Sequence, residues 1–273
     1  PKTVLLQGEP GSGKSRMACL TAIHKPVHVI DVDRKIQSAA WAAPALASGQ
    51  LTYWELREPL DEENLKSRIR QLASNQKASR APEGWTTFAD YIYTLPNTDE
   101  GKSAGTWFID SATILGEHLK SHIMHLVGRN KYTWDQWNAY KIGWMDTVSF
   151  LRDIAKENHK DLIISVHERM GETPGDRTSG VKYETVGTTT EGLQRQRTMT
   201  GTMDLKIWAS IDGAYGQMFG ASVDVYYWLR AEVNDKKEVK WICRVQPDGR
   251  RNLRTSFNVT QAEFEPDFKR IWK

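Results

Sequence analysis

The sequence is poor in cysteine, with two in 273 residues, Cys19 and Cys243, far apart along the chain. Two isolated cysteines form neither a metal-binding pattern nor a disulfide framework, so we expect a protein of the reducing cytoplasm. The chain also lacks any apolar run near the ~20 residues of a membrane span. No signal peptide is visible at the start of the chain, so we expect no membrane partner.

The sequence has little net charge: 37 Lys and Arg residues stand against 34 Asp and Glu residues, giving +3. Bulk charge therefore does not indicate a nucleic-acid-binding protein, and any basic surface must be local. The chain contains no internal repeat and no low-complexity tract. We interpret residues 1–273 as a single domain.

The sequence does contain a glycine-rich segment, residues 8–15, that fits the pattern G-x-x-x-x-G-K-[ST]. Its glycines allow positive φ and turn backbone N–H groups inward, which creates a positive cradle for phosphates at the start of a helix. In this pattern Lys14 reaches the β- and γ-phosphates of ATP and the Ser15 hydroxyl ligates Mg²⁺. The predicted nucleotide-binding residues are Gly8, Glu9, Pro10, Gly11, Ser12, Gly13, Lys14, Ser15 and Arg16.

Strands alternate with helices along the chain, which predicts an α/β fold with a mainly parallel central sheet flanked by helices. Predicted strands cover 3–6, 27–30, 51–56, 106–110 and 162–166, and predicted helices cover 61–73, 112–127 and 134–158. Residues 223–229 and 239–245 predict an antiparallel pair at one edge of the sheet. We interpret residues 75–105, with a short helix near 85–93, as an insertion or lid, and residues 169–206 as an extended mobile loop.

Two further polar residues end predicted strands. Asp110 follows an apolar strand, as in the Walker B pattern, where the carboxylate orients Mg²⁺. The alternative is an N-cap role, because Asp110 and Ser111 also precede a helix. His167 lies at the tip of the next predicted strand, where it could sense the γ-phosphate, or it could be a surface or N-cap histidine.

With these pieces in order, the chain resembles the RecA-like branch of P-loop ATPases. More narrowly, it is similar to the phage-encoded RecA-like ATPases of the Sak recombination group, often classified as AAA-type. The resemblance is carried by residues 8–15, 30–33, 108–111 and 163–168, and more loosely by 137–151 and 244–254.

The resemblance implies a role for Asp33, which matches the catalytic carboxylate two residues beyond the Asp that ends the second strand. That residue is usually Glu, so the shorter Asp33 would lie about one methylene further from the attacking water. The resemblance also implies that His167 reports the γ-phosphate to the loop after it.

In the family this loop contacts single-stranded DNA. Residues 168–206 carry six cations and six anions, so the loop as a whole is not an electrostatic funnel. The candidate DNA contacts are Arg177, Lys182, Arg195 and Arg197. The alternative is a solvated loop with no ligand.

The resemblance further implies head-to-tail self-association, as a filament or a ring, in which a neighbour donates cations to the γ-phosphate. Residues 230–254 carry eight cations and four anions, a local charge of +4. The candidates for a cation acting in trans are Arg250, Arg251 and Arg254, which could stabilise charge on the transferred phosphoryl group. The alternative is a solvated basic hairpin.

We therefore expect an ATPase, stimulated by single-stranded DNA, that assists recombination or annealing in phage DNA metabolism. The implied cofactors are ATP and Mg²⁺, and the implied partners are single-stranded DNA, further copies of the chain and a single-strand-binding protein. Two alternatives stay open. One is a motor ATPase for DNA unwinding or packaging, and the other is a non-catalytic, nucleotide-gated assembly protein.

Overall fold

The structure, a computed structural model, describes residues 1–57, 82–128, 133–171, 184–188, 194–197, 206–209, 219–233, 237–247, 253 and 262–266. The predicted helix over 61–73 lies outside these residues. None of the helices within the described ranges combines the length and apolarity that a membrane span requires.

Helices and parallel strands alternate as predicted. The helices are α1 (Arg16–Ala22), α2 (Ala43–Ala47), α3 (Gly84–Thr94), α4 (Asp99–Ser103), α5 (Ala112–Val127) and α6 (Trp134–Glu157). The strands are β1 (Thr3–Gly8), β2 (Val27–Asp31), β3 (Leu51–Glu55), β4 (Thr106–Asp110), β5 (Asp161–Gly171), β6 (Glu184–Thr188), β7 (Gln194–Arg197), β8 (Lys206–Ala209), β9 (Val225–Val233), β10 (Val239–Arg244) and β11 (Glu263–Phe264).

The main sheet has the strand order β11-β10-β9-β1-β5-β4-β2-β3. Every neighbouring pair from β9 to β3 is parallel, whereas β10 runs antiparallel to both β9 and β11. The α/β fold with a mainly parallel sheet and antiparallel strands at one edge is therefore confirmed, and it is consistent with the RecA-like fold that the resemblance implies.

The central strands are apolar on both faces because helices cover both sides of the sheet. All residues of β1, β2 and β4 are buried. On one face Val4, Leu6 and Val29 pack with α1 and α2. On the other face Leu5 and Trp107 pack with α3, α5 and α6.

The register brings the carboxyl ends of four strands to one edge. Gly8 at the end of β1 pairs with His167 of β5, and Asp31 at the end of β2 pairs with Asp110 at the end of β4. Ligands of open α/β sheets bind outside this edge. The fold thus places the glycine-rich loop beside the predicted carboxylates.

The predicted short helix near 85–93 is confirmed as α3, which packs against the sheet near its β3 edge. The Tyr91 ring stacks on Trp54, with centroids 3.9 Å apart and an interplanar angle of 2°. His28 bridges Tyr91 and Thr52 through its two ring nitrogens, at 2.5 and 2.8 Å. Burial lowers the pKa of His28 to about 4, so this bridge is neutral at pH 7.

The segment over 169–206, predicted as an extended mobile loop, contains strands where the structure describes it. β5 continues to Gly171 and pairs antiparallel with β8, and β6 pairs with β7 in a separate two-stranded sheet. His167 consequently lies inside β5, not at its tip, although its pairing with β1 ends there. Backbone hydrogen bonds form these pairs, so polar segments without apolar alternation can still be strands.

The contact between α5 and α6 yields a stability prediction at Gly116. A Cβ at this residue would lie 2.7 Å from Tyr140 Oη and 3.4 Å from the Trp144 ring, and both aromatic side chains are buried. We expect Gly116→Ala to lower the free energy of unfolding by about 1–3 kcal/mol through overpacking. Urea denaturation measures this change.

Glu117→Ala, at an exposed position of the same helix, is the control and should alter stability by less than about 0.5 kcal/mol. Equal stability of Gly116→Ala and the unmodified protein would contradict the packing described for these helices.

Candidate nucleotide-binding site

Three glycines, at the end of β1 and in the loop after it, are required by the local geometry. Gly11 and Gly13 have φ of 82° and 89°, in the left-handed region that side chains disfavour. At Gly8 a Cβ would lie 2.2 Å from the carbonyl oxygen of Leu229 on β9. Substitution of any of the three would distort the loop, as expected for a phosphate cradle.

Lys14 lies folded against its own loop. Its Nζ donates hydrogen bonds to the carbonyl oxygens of Gly8, at 2.8 Å, and Glu9, at 2.7 Å. The side chain is buried, and burial lowers the pKa of Lys14 to about 8 although the charge of Asp110 opposes this shift. The buried ammonium therefore favours a nearby anion, and a bound phosphate would supply one.

Asp110 faces the loop from the end of β4. The Ser165 hydroxyl of β5 donates to Asp110 Oδ1 at 2.5 Å, while Oδ2 is buried without a hydrogen-bond partner among the described residues. Burial raises the pKa of Asp110, and the neighbouring Ser15 and Ser165 hydroxyls act in the opposite direction. The carboxylate is thus held in place with one oxygen available to a further ligand.

The N-cap alternative for this strand end is not supported. α5 begins at Ala112 with Ser111 as its N-cap residue, and Ser111 makes no side-chain cap. Its hydroxyl donates to Asp33 instead. Both Asp110 and Ser111 therefore direct their side chains to the site.

The residues present fit a magnesium ion. Mg²⁺ is usually bound through one or two protein oxygens together with phosphate oxygens and waters. The Ser15 hydroxyl and the unpartnered Oδ2 of Asp110 supply such oxygens at one place. Within the described part of the chain, no group of three or more His, Cys, Asp or Glu residues is placed to hold a metal ion.

The turn after β2 holds Asp33 against the end of β4. The Asp110 carbonyl oxygen accepts N–H hydrogen bonds from Val32, at 2.6 Å, and Asp33, at 3.0 Å. The Asp31 carboxylate accepts from the next turn, at Lys35 N and Ile36 N, at 3.1 and 2.8 Å. Asp31 thus stabilises the turn, and Asp33 is the carboxylate presented to the site.

Asp33 is nearly buried and is surrounded by donors. Its Oδ1 accepts from the Ser111 hydroxyl at 2.8 Å, and its Oδ2 lies 2.7 Å from Lys35 Nζ and 3.8 Å from His167 Nε2. Burial alone would raise the pKa of Asp33, but the nearby His167 ring and the hydrogen bonds from Lys35 and Ser111 outweigh it and hold the pKa well below its ordinary value. In this arrangement Asp33 is an ionised, weak base suited to orienting a water molecule.

His167 connects this carboxylate to the strand that continues beyond the sheet edge. Its backbone N–H donates to Thr113 Oγ1 of α5 at 2.9 Å, and its ring faces Asp33. The next residue, Glu168, accepts from the Trp228 indole of β9 at 2.6 Å. Through the contact between Asp33 and the His167 ring, a movement of Asp33 would be transmitted directly to β5.

The antiparallel edge of the sheet contributes Trp241 to the loop. The indole of this β10 residue lies so close to Gly13 that a Cβ there would be 2.5 Å from Trp241 Cδ1. The Arg16 guanidinium lies 4.1 Å from the centroid of the same ring. Trp241 therefore braces the loop and the start of α1.

The structure brings together most of the predicted ATP site and leaves the rest untested. Lys14, Ser15, Asp33, Asp110 and His167 meet at one edge. Arg195 and Arg197 lie on β7. Arg177, Lys182, Arg250, Arg251 and Arg254 lie outside the described residues, so their proposed roles stay predictions.

Sequence reasoning missed Ser111, Ser165, Lys35 and Trp241. Ser165 lies within a buried apolar strand, where a lone polar residue is a signal of a polar partner. Lys35 lies two residues after Asp33, and this spacing does not predict a contact between their side chains unless the fold of the turn is known.

No protein family matches the sequence, and no curated protein matches it either. Among solved structures, the chain is similar to the KaiC-like protein PH0186 from the hyperthermophilic archaeon Pyrococcus horikoshii OT3. The alignment covers 94% of this chain and 82% of that chain, with 14% identity and a TM-score of 0.41. A likeness of this size carries no conclusion about activity.

The lowered pKa of Lys14 predicts proton uptake when a nucleotide binds. Lys14 is charged below a pKa of about 8 and largely neutral at pH 9, whereas phosphate contact favours its charged form. Binding of a non-hydrolysable ATP analogue with Mg²⁺ should take up about one proton per site at pH 9 and much less at pH 7. Calorimetry in two buffers with different ionisation enthalpies measures this number.

Lys14→Arg is the control, because its guanidinium stays charged at both pH values and the difference should vanish. Equal proton uptake at pH 7 and pH 9 in the unmodified protein would contradict the assignment of Lys14 as the phosphate ligand.

Proposed function

We propose that this protein is an ATPase with a RecA-like core that couples its nucleotide state to single-stranded DNA. The observation that carries the proposal is the meeting of three groups at one edge of the sheet. These are the buried Lys14 ammonium, the Asp110 carboxylate with a free oxygen, and the Asp33 carboxylate held by the turn after β2.

The chemistry follows from the positions of these groups. Loop N–H groups and Lys14 bind the phosphates, and Lys14 exchanges the carbonyl oxygens of Gly8 and Glu9 for phosphate oxygens. Ser15 and Asp110 would hold Mg²⁺, which supplies positive charge to the phosphate oxygens. Asp33 orients the attacking water, and positioning of this kind provides most of the catalysis in phosphoryl transfer.

The coupling to DNA depends on β5. His167 contacts Asp33, and the strand that contains it runs on to Gly171 and pairs with β8. In the sequence, β6 and β7 come between β5 and β8; they pair with each other in a separate sheet, and β7 carries the candidate DNA contacts Arg195 and Arg197. We propose that movement at His167 on loss of the γ-phosphate passes along β5 into the chain that follows it, and that this segment binds single-stranded DNA.

The resemblance adds the remaining parts of the proposal. Copies of the chain would associate head-to-tail, and Arg250, Arg251 or Arg254 of a neighbour would contact the γ-phosphate. The biological role would be recombination or annealing in phage DNA metabolism.

Steady-state ATP turnover with and without single-stranded DNA tests this function. We expect turnover that rises on addition of DNA, and we expect Lys14→Ala to abolish it because phosphate binding is lost. Turnover that does not respond to DNA would contradict the proposed coupling. Turnover by Lys14→Ala equal to that of the unmodified protein would contradict the proposed nucleotide-binding site.

One observation favours a second function, a nucleotide-gated assembly protein without fast hydrolysis. Both oxygens of Asp33 already accept hydrogen bonds, and its pKa is held low, so it is a poor base in this arrangement. Nucleotide binding and nucleotide-dependent self-association without turnover would support this second function over the first.

The role of Asp33 yields a prediction that separates hydrolysis from binding. Asp33→Asn keeps the size of the side chain but removes its charge and its ability to accept a proton. We expect ATP turnover to fall by about 10²-fold or more, while binding of a non-hydrolysable ATP analogue stays within a few-fold.

Asp90→Asn, on the exposed side of α3, is the matched control and should leave both quantities unchanged. Turnover by Asp33→Asn at the rate of the unmodified protein would exclude Asp33 as the carboxylate that orients water.

A further inference from the structure

Both carboxylate oxygens of Asp33 are engaged in the structure. Oδ1 accepts from Ser111, and Oδ2 accepts from Lys35 Nζ at 2.7 Å. An attacking water needs one of these oxygens, because the carboxylate must accept its hydrogen bond. Each carboxylate oxygen can accept a second hydrogen bond, so the water does not require a donor to leave, but the departure of one donor would open space beside its oxygen.

Lys35 is the donor that can leave. Ser111 is fully buried between Asp110 and the first turn of α5. The Lys35 side chain is 58% exposed, whereas that of Asp33 is 4% exposed. Lys35 thus approaches the carboxylate from the solvent side on a flexible four-carbon stem.

The backbone of Lys35, in contrast, is fixed. Its N–H donates to Asp31 Oδ1 at 3.1 Å, and the next residue, Ile36, is fully buried and donates to Asp31 Oδ2. Arg34 adopts a φ of 56° and donates from Nε to the Leu56 carbonyl oxygen at 2.8 Å. The turn therefore anchors a mobile ammonium at a constant place beside the site.

The charge of the Lys35 ammonium interacts with the charged groups beside the glycine-rich loop. Partial burial lowers the pKa of Lys35, but the hydrogen bond and charge of Asp33, and then the charge of Asp110, raise it above its ordinary value. The charge of Lys35 in turn contributes to the lowered pKa of Lys14. The charges of Lys14 and Lys35 therefore influence each other, and the negative charge of a triphosphate would attract both lysines.

We propose that Lys35 is a phosphate-contacting residue that gives the site its preference for nucleoside triphosphates over diphosphates. When ATP binds, the Lys35 ammonium exchanges Asp33 Oδ2 for an oxygen of the terminal phosphate. Asp33 Oδ2 then accepts from the attacking water. A diphosphate has no group at that position, so Lys35 stays on Asp33. The inference rests on the proposed ATP site and adds a specificity residue to it.

The test compares the dissociation constants of adenylyl imidodiphosphate and ADP, both with Mg²⁺. Lys35→Ala should weaken the triphosphate analogue about tenfold, as expected for the loss of one charge-assisted contact, and leave ADP within about twofold. Lys35→Arg, which keeps the charge, should restore most of the preference. Lys156→Ala, an exposed lysine near the end of α6, is the control for charge alone.

Thermal unfolding of each variant accompanies the binding measurement, so that a folding defect is recognised as equal loss of both nucleotides. If Lys35→Ala is folded and keeps the unmodified ratio of the two dissociation constants, the inference is overturned and the proposed function stands. If the unmodified protein binds neither nucleotide, the proposed function falls, and the inference falls with it.

Discussion

The site depends on two backbone hydrogen bonds, which the Asp110 carbonyl oxygen accepts from Val32 N and Asp33 N. They join the turn after β2 to the end of β4, and the parallel register of these strands makes them possible because Asp31 pairs with Asp110. Through them one residue, Asp110, holds Asp33 with its main chain and faces the glycine-rich loop with its side chain. A shift of one residue in this register would reverse the faces of one strand relative to the other and remove the site.

The fold was predictable because its signals are local and repeated. Short apolar runs separated by helical periods identify buried parallel strands, and Gly11, Gly13 and Lys14 occupy positions that a phosphate loop requires. The strand pairs of the polar segment beyond Glu168 were not predictable, because they form through backbone hydrogen bonds between residues without apolar alternation. The same limit explains why Lys35 escaped notice, since a contact across a turn leaves no periodicity.

Within the site, several charged side chains lie close together and influence one another's pKa. Burial lowers the pKa of Lys14 and raises that of Asp110, while donors around Asp33 hold its pKa low. The unpartnered oxygen of Asp110 and the ammonium of Lys14 would suit the proposed ligand, a triphosphate with its metal ion. Nucleotide binding is therefore supported by more contacts than hydrolysis, since Asp33 already accepts hydrogen bonds from Ser111 and Lys35 and its pKa is low.

A crystal structure with adenylyl imidodiphosphate and Mg²⁺ tests the central claim most directly. The account predicts that Lys14 Nζ leaves the carbonyl oxygens of Gly8 and Glu9 for the phosphates, with the metal ion between Ser15 and Asp110. Nucleotide bound at another place, or Lys14 still on its loop beside a bound triphosphate, would contradict it.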